Sequence, residues 1–298
     1  MKNLIHSPST SGRKGLTAGL FLRRSLLHYK KSNFWVVAGV AVSTAILVGA
    51  LIIGDSVRFS LKNIVNDRLG STRFALTTGD RFFRAELADE LAEQLHTEVA
   101  AVLETQGIAV LDGGGRRAGH VHILGVDDRF ERMGRTDGKL SGIEKGGIVI
   151  NTHLASRLNL KERDDVLLRI RKPDAMPGEA PLAADYDTAI ARLYRIAGII
   201  DDNRMGRFSL RSNQVAPLNV FMNRETLAAE INQTSRANLL LIAKRKGTPL
   251  NAGDANEALR KSFAPKDAGL SVKPVPERGM VELRSSRIFI EKTILEAL

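Results

Sequence analysis

The chain has 298 residues, a formal net charge of +11 and no cysteine. The lack of cysteine excludes a disulfide scaffold and thiolate metal sites. A basic chain can bind nucleic acid, but seven of the lysines and arginines precede position 34 and no nucleic-acid-binding motif follows them, so no nucleic-acid partner is expected.

Residues 1–33 form a basic lead. The stretch 1–14, rich in Ser, Gly, Lys and Arg, is predicted to be disordered. Leucines alternate with basic residues in 16–31, which predicts an amphipathic helix lying on the membrane surface. No acidic residue occurs before Asp55, and basic residues beside a first span favour the cytoplasmic side. The residues predicted to set this topology are Arg23, Arg24, Lys30, Lys31 and Trp35.

The run 34–54 holds 21 residues and no charge. As a helix it is roughly 31 Å long, close to the thickness of the hydrocarbon core of a bilayer, so it is predicted to be a transmembrane helix. The alternative is a cleaved signal peptide, but the apolar run is longer than such peptides use. Ala41, Ala45 and Gly49 recur every four residues, which favours close packing against another membrane helix.

The segment 55–70 is predicted to continue this helix as a stalk. One helical stripe carries Val57, Leu61, Ile64, Val65 and Leu69. Gly70 follows as a helix C-cap. A helix over 34–69 is roughly 54 Å long. The alternative is an ordinary amphipathic helix packed on the base of the outer domain.

The remaining outer part, 71–283, alternates short strands and helices. The predicted strands are 99–105, 108–112, 120–126, 147–151, 164–171, 192–200, 218–223 and 236–243. The predicted helices begin near Arg84, Thr152, Arg224 and Asn251, the turn 113–119 joins a hairpin, and 173–187 is a loop. A last helix is predicted over 284–298. The fold class is therefore α+β: one transmembrane helix, then an extracytoplasmic domain of one or two lobes with a mixed or antiparallel sheet.

The sequence contains little that indicates chemistry. His120 and His122 are predicted to share one face of a strand, but no third metal ligand follows from the pattern. The pairs Asp127–Asp128, Asp164–Asp165 and Asp201–Asp202 are interpreted as caps of turns. No phosphate loop or nucleophile motif is present. We therefore expect no catalytic, cofactor or metal site in this chain.

The order of these segments resembles the N-terminal part of a MacB/FtsX-type ABC transporter permease. The phrases that carry the resemblance are HVHILGVDDRFERMG (120–134), GIVINTHLASRLNLKERDDVLLRI (147–170) and RLYRIAGIIDD with LNVFMNRETL. Asp164–Asp165 stands where the family usually has Gly-Asp. The resemblance implies a bacterial inner-membrane permease subunit with its N-terminus in the cytoplasm and a periplasmic MacB-like core domain. It further implies that a second span follows this segment.

The same resemblance implies the partners. A separate ABC-type ATPase subunit would hydrolyse ATP, and the permease would be a dimer in contact with membrane lipids and with an envelope protein. Two other functions stay open: a single-pass membrane-anchored sensor whose outer domain binds a ligand, and an anchored envelope enzyme. The transported molecule does not follow from the sequence.

Overall fold

The computed structural model describes residues 17–111, 115–134, 138–140, 143, 146–173, 189–211, 215–245, 247, 249–275 and 280–285. The predictions for the 1–14 lead, for nearly all of the 173–187 loop and for the helix beyond position 285 lie outside these residues. The chain divides into two compact units, Met1–Leu61 and Lys62–Leu298.

The described part of the first unit is helical. Helix α1 covers Ala18–His28, inside the segment predicted to be amphipathic, and helix α2 covers Lys30–Leu69. Helix α2 has 40 residues and passes from the first unit into the second without a break. Within the described residues it is the one helix long and apolar enough to cross a membrane. The predicted span and the predicted stalk therefore lie on a single helix.

The second unit is rich in strands. Its strands are β1 Thr72–Thr77, β2 Phe83–Arg84, β3 Val99–Leu111, β4 Arg117–Val126, β5 Gly147–Asn151, β6 Asp165–Arg171, β7 Ala189–Ile200, β8 Leu218–Asn223, β9 Arg236–Ala237, β10 Leu239–Ala243, β11 Leu270–Val275 and β12 Met280–Ser285. Its helices are α3 Leu87–Leu95, α4 Asp128–Gly134, α5 Thr152–Leu158, α6 Arg224–Glu230 and α7 Ala252–Ser262, with short 3₁₀ turns at Asp202–Arg204 and Pro265–Ala268.

A closed barrel is the centre of this unit. Eight strands form one sheet in the order β1-β10-β3-β4-β8-β5-β7-β6, and β6 also pairs with β3, so six strands from β3 to β6 close on themselves. The pairs β4–β8 and β5–β7 are parallel and the others antiparallel. The prediction of an α+β fold with a mixed sheet is confirmed. Strand β3 serves both halves of the sheet, since Val99–Val102 pairs with β10 and Gly107–Leu111 pairs with β6.

Three hydrophobic cores surround β3. The barrel interior, with α5 and α6 at its side, buries Leu103 and Ala109. A second core, on the other face of β3, buries Val102 together with Phe130, Phe208 and Phe221. The third core packs α3 and α7 on β10 and buries Val99 and Ala101. Alternation places Ala100 and Val102 on one face, in the second core, while Val99, Ala101 and Leu103 share the other face. Along that face the strand passes from the third core into the barrel interior.

Several predicted boundaries were wrong. Two strands were predicted, over 99–105 and 108–112, but Val99–Leu111 is one strand, because Thr105, Gln106 and Gly107 continue the pairing with β4. Helix α3 begins at Leu87 rather than Arg84, because Phe83 and Arg84 pair with β9 as a strand.

Other elements were not foreseen. Strand β1 and helix α4 fall in segments without a predicted element. The helix predicted from position 284 does not begin there, because Arg284 and Ser285 belong to β12 and pair with β11.

Candidate functional site

The last turn of α2 is built into the second unit, and Gly70 is the residue that makes this possible. Gly70 follows the helix with φ +57°, and its N–H donates to the carbonyl oxygen of Asn66 over 2.7 Å. This is the left-handed C-cap that glycine adopts most easily. A Cβ at this position would lie 2.4 Å from the carbonyl oxygen of Met133 and 2.9 Å from Met205 Sδ. Glycine is therefore required both by the backbone angle and by the close contact.

Ser71 ties the end of the helix to two further elements. Its N–H and its hydroxyl both donate to the carbonyl oxygen of Met133, at 3.0 and 3.2 Å. Its own carbonyl accepts from the N–H of Lys244 at 2.8 Å. Met133 lies in α4, and Lys244 directly follows β10. Displacement of Ser71 would therefore move both α4 and the end of β10.

A third attachment comes from the segment 201–211. The N–H of Met205 donates to the carbonyl oxygen of Asp67, and the Arg68 guanidinium reaches the carbonyl oxygen of Arg211. Leu69 packs against the core that contains Phe130 and Phe208, whose rings meet edge to face at 5.2 Å. Backbone hydrogen bonds and apolar contacts thus hold the last turn of α2 against α4, β10 and the segment 201–211. This set of contacts at positions 67–71 is called the joint.

Two buried asparagines fix the segment 201–211 to the barrel. The Asn151 amide donates to the carbonyls of Gly206 and Pro217, and the Asn219 amide donates to those of Gly206 and Phe208. Asn151 Oδ1 accepts from the N–H groups of Leu154 and Asn219. Both asparagines have no exposed surface. The amide N–H groups of both asparagines are thus paired with backbone carbonyls, and these hydrogen bonds hold the segment against the barrel.

An ion pair clamps another part of the unit. The Arg84 guanidinium donates to both carboxylate oxygens of Asp267 at 2.9 Å, and the backbone N–H groups of Arg84 and Ala264 donate to the same carboxylate. The Asp267 side chain is fully buried. Burial raises the pKa of Asp267, but the hydrogen bonds from Arg84 and Ala264 outweigh it, so the pKa lies below its usual value. The clamp joins β2, which precedes α3, to the 3₁₀ turn that leads into β11.

The residues predicted from sequence to act in the membrane lie on α1 and α2. Arg23 and Arg24 are on α1, and Lys30, Lys31 and Trp35 are on the first turns of α2. The small-residue set Ala41, Ala45 and Gly49 also lies on α2, and a Cβ at Gly49 would meet no described atom within 4 Å. Their predicted roles in topology and helix packing stay predictions.

The predicted stalk stripe divides into two parts. Val57, Leu61, Ile64 and Val65 are exposed, at 43 to 58 % of their surface. Leu69 is the member that packs against the core of the second unit. Met133 and Met205, which belong to the same core, and the asparagines Asn151 and Asn219, which hold the segment 201–211, were not singled out from the sequence. One sequence feature could have pointed to the two asparagines as buried polar residues: each lies within, or at the end of, an otherwise apolar strand.

His122 and several aspartates of the predicted motifs have structural partners. A bulge shifts the β3–β4 register where His120 lies with φ +53°, while His122 faces Glu104. Asp127 and Asp164 accept backbone N–H groups of the turns that they cap, as predicted. Asp202 instead contacts the His153 and Arg207 side chains. Within the described residues, no group of three or more metal-ligating side chains occurs.

No protein-family model matches the chain, and no curated protein is significantly similar to it. Among solved structures, the periplasmic region of MacB from Actinobacillus actinomycetemcomitans aligns with a TM-score of 0.43 at 13 % identity, over 78 % of this chain and 94 % of that one. The extracellular domain of the noncanonic ABC-type transporter YknZ from Gram-positive bacteria aligns with a TM-score of 0.38 at 10 % identity, over 71 % of this chain and 97 % of that one. MacB, which the sequence resembles, is thus also among the structural neighbours.

Proposed function

We propose that this chain is a permease-type subunit of an ABC transporter in which helix α2 carries motion between the membrane and the outer domain. In this proposal a separate ABC-type ATPase supplies the motion from the cytoplasm. The segment 34–54 of α2 spans the bacterial inner membrane with residues 1–33 inside. The second unit lies outside, where it acts on a transported substrate or on an envelope partner.

The observation that carries the proposal is the joint at the end of α2. A flexible linker between a span and a domain would absorb a displacement, whereas a helix that continues into the domain can pass it on. The carbonyl of Asp67 and both backbone groups of Ser71 are hydrogen-bonded to three separate segments. Because of these hydrogen bonds, a displacement of the last helical turn would move α4, the segment 201–211 and the end of β10 together.

The exposed apolar residues of α2 support a second part of the proposal. Ala41, Ala45 and Gly49 leave room for a close helix neighbour in the membrane. Such a neighbour would come from a later span of the same permease or from the second subunit of a permease dimer. We assign no catalytic residue and no cofactor to this chain.

The test is purification of the full-length protein from its native membranes under mild detergent. We expect an ABC-type ATPase to copurify in a fixed ratio, and we expect its hydrolysis rate to change when the permease is removed. A chain that purifies without any ATPase, from cells in which its deletion alters no export or envelope phenotype, would contradict the proposal.

A further inference from the structure

The first strand of the second unit lies at an edge of the sheet. Among the strands that the structure describes, β1 pairs with β10 alone. Within the described residues, no backbone hydrogen bond from outside the sheet reaches 72–77. One side of the β1 backbone is therefore unpaired. Such an edge is a template on which another chain can pair as a further strand.

Two residues of β1 direct their backbone groups away from β10. In an antiparallel pair, residues alternate between those that bond to the partner strand and those whose backbone groups point outward. The N–H of Thr78, directly after β1, donates to the carbonyl oxygen of Asn238, and the register continues through Leu76 opposite Leu240. Thr78 and Leu76 thus face β10. The free edge presents the N–H and C=O groups of the residues between and before them, Thr77 and Ala75.

An apolar slot lies beside this edge, on the face of β1 that carries Phe74 and Leu76. Its volume is about 130 Å³, and β1, β10, α3 and α7 line it. Phe74 and Leu76 are half-buried and pack against the third core. Two α7 residues of the lining, Ala252 and Asn256, are exposed, so the slot opens to solvent. The slot is suited to a single apolar side chain of an added strand.

Positive charge lies at the start of the same edge. The Arg73 guanidinium lies over the Phe74 ring, 5.6 Å from its centre. The N–H of Lys244 donates to the carbonyl oxygen of Ser71, which directly precedes β1, so Lys244 is also beside this end of the strand. Arg73 and Lys244 are exposed, and within the described residues neither has an acidic partner. A carboxylate near Phe74 would complement this charge.

We propose that β1 binds an extended segment of a partner protein, which adds a strand antiparallel to β1 with an apolar side chain in the slot and a carboxylate beside Arg73. Strand addition takes its affinity from backbone hydrogen bonds and its specificity from pockets for alternate side chains. Residues directly opposite each other carry their side chains on the same face. The partner residue opposite Leu76 therefore faces the slot, and the one opposite Phe74, two positions later, lies near Arg73. The recognised pattern is apolar, any residue, acidic, read from the N-terminus.

The experiment measures the fluorescence anisotropy of labelled hexapeptides with the full chain in detergent micelles, and empty micelles give the background. The probe is Thr-Thr-Leu-Thr-Glu-Thr. We expect saturable binding, weakened about tenfold to a hundredfold when serine replaces the leucine, which is the effect of losing one buried apolar side chain. No saturable binding of the probe, or equal binding of the leucine and serine peptides, would overturn the proposal.

Methylation of single peptide nitrogens tests the backbone pairing. The two threonines that flank the leucine would lie opposite Thr77 and Ala75, so their N–H groups face β1 and the leucine N–H faces away. N-methylation of both threonines should abolish binding, and N-methylation of the leucine is the matched control that should retain it. Equal effects of the two modifications, or equal binding of the reversed sequence Thr-Glu-Thr-Leu-Thr-Thr, would overturn antiparallel addition at this edge.

Variants of the protein place the peptide on β1. Ala75→Pro removes an outward-facing N–H and should abolish binding, while pairing with β10 persists because an edge strand tolerates proline where its N–H faces solvent. Arg73→Glu should reverse the charge preference, so that a peptide with lysine in place of the glutamate binds better than the probe. Arg117→Glu, at an exposed arginine on β4, is the matched control and should bind the probe like the unmodified chain. Binding of the probe to Arg73→Glu at the original affinity would overturn the proposal.

A second copy of this chain is the other occupant that the same variants detect. Dimerisation of the unmodified chain that Ala75→Pro prevents, without binding of the probe, would place β1 of a second copy at the edge and overturn the proposal. Binding at this edge and the ATPase partnership are tested by separate experiments, so either can fail alone.

Discussion

Single residues decide whether the end of α2 can be joined to the domain. Gly70 sits at the contact between Met133 and Met205, where no side chain fits. Asn151 and Asn219 then hold the segment that carries Met205. The joint depends on the absence of a Cβ at Gly70 and on the amide groups of Asn151 and Asn219. A substitution at each position tests these features separately.

Gly70→Ala tests the close contact. The left-handed backbone alone costs an alanine about 1–2 kcal/mol, and the clash with the carbonyl of Met133 adds to this. Gly79→Ala is the matched control, because Gly79 has φ +60° but a Cβ added there would meet no described atom within 4 Å. We expect Gly70→Ala to lower the free energy of unfolding clearly more than Gly79→Ala, as measured by thermal unfolding in micelles. Equal losses would mean that only the backbone angle matters.

Asp267→Asn tests the buried clamp. Removing one partner of a buried ion pair costs about 3–5 kcal/mol. Because the pKa of Asp267 is lowered in the folded protein, its contribution is present at neutral pH and is lost as the pH falls below about 4, the usual pKa of an aspartate. The variant should therefore be less stable at pH 7, and its stability should fall less on acidification.

The control for the clamp is Lys261→Ala, which breaks an exposed i,i+4 pair with Glu257. Such pairs contribute only about 0.3–0.5 kcal/mol. The clamp has no energetic role if Asp267→Asn changes the free energy of unfolding as little as Lys261→Ala does. The same follows if the Asp267→Asn variant and the unmodified chain lose equal stability on acidification.

Helix α2 is the element on which the proposed function depends. Its apolar stripe continues past Asp55 and its last member, Leu69, is built into the second unit. The helix has 40 residues, about 60 Å of rise, without an interior proline. An element of this length passes on a displacement only while its backbone hydrogen bonds stay intact.

Two prolines test that requirement. Ser60→Pro together with Asn63→Pro should kink the helix, since each proline costs about 3 kcal/mol or more in a helix interior. We expect membrane insertion and the fold of the outer domain to persist, while ATP hydrolysis and outer-side activity of the assembled transporter become uncoupled. The alanine pair at the same positions is the control. Normal activity of the proline variant would mean that the helix only anchors the outer domain and does not transmit a displacement to it.

Local patterns predicted the elements that have local causes. Helix α5 begins at Thr152 as predicted, and α7 begins after Asn251, where its start was predicted, with a capping box. Strand β1 was missed because its six residues are half-buried between turns. The barrel closes through the pairing of β3 with β6. Nothing in the sequence of either strand predicts this pairing. Gly70 was recognised as a cap, but Met133 and Met205 reach it only through the tertiary fold.

At the scale of the whole molecule, the orientation across the membrane is the main open prediction. Seven basic residues and no acidic one precede position 34. Because the chain has no cysteine, single cysteines can be placed at Thr10 and at Lys139 without background. On intact cells an impermeant thiol reagent should label position 139 and spare position 10 until the membrane is opened. The reverse pattern would invert the topology.

The sharing of β3 among three cores has a consequence for how the second unit melts. Val99, Val102 and Leu103 each belong to a different core, so no core can come apart without releasing a strand on which the other two depend. The unit therefore forms a single foldon rather than two that open separately. Amide protons of Ala100 to Leu103 should exchange with deuterium only through global opening, and damage in any one core should speed their exchange to the same extent.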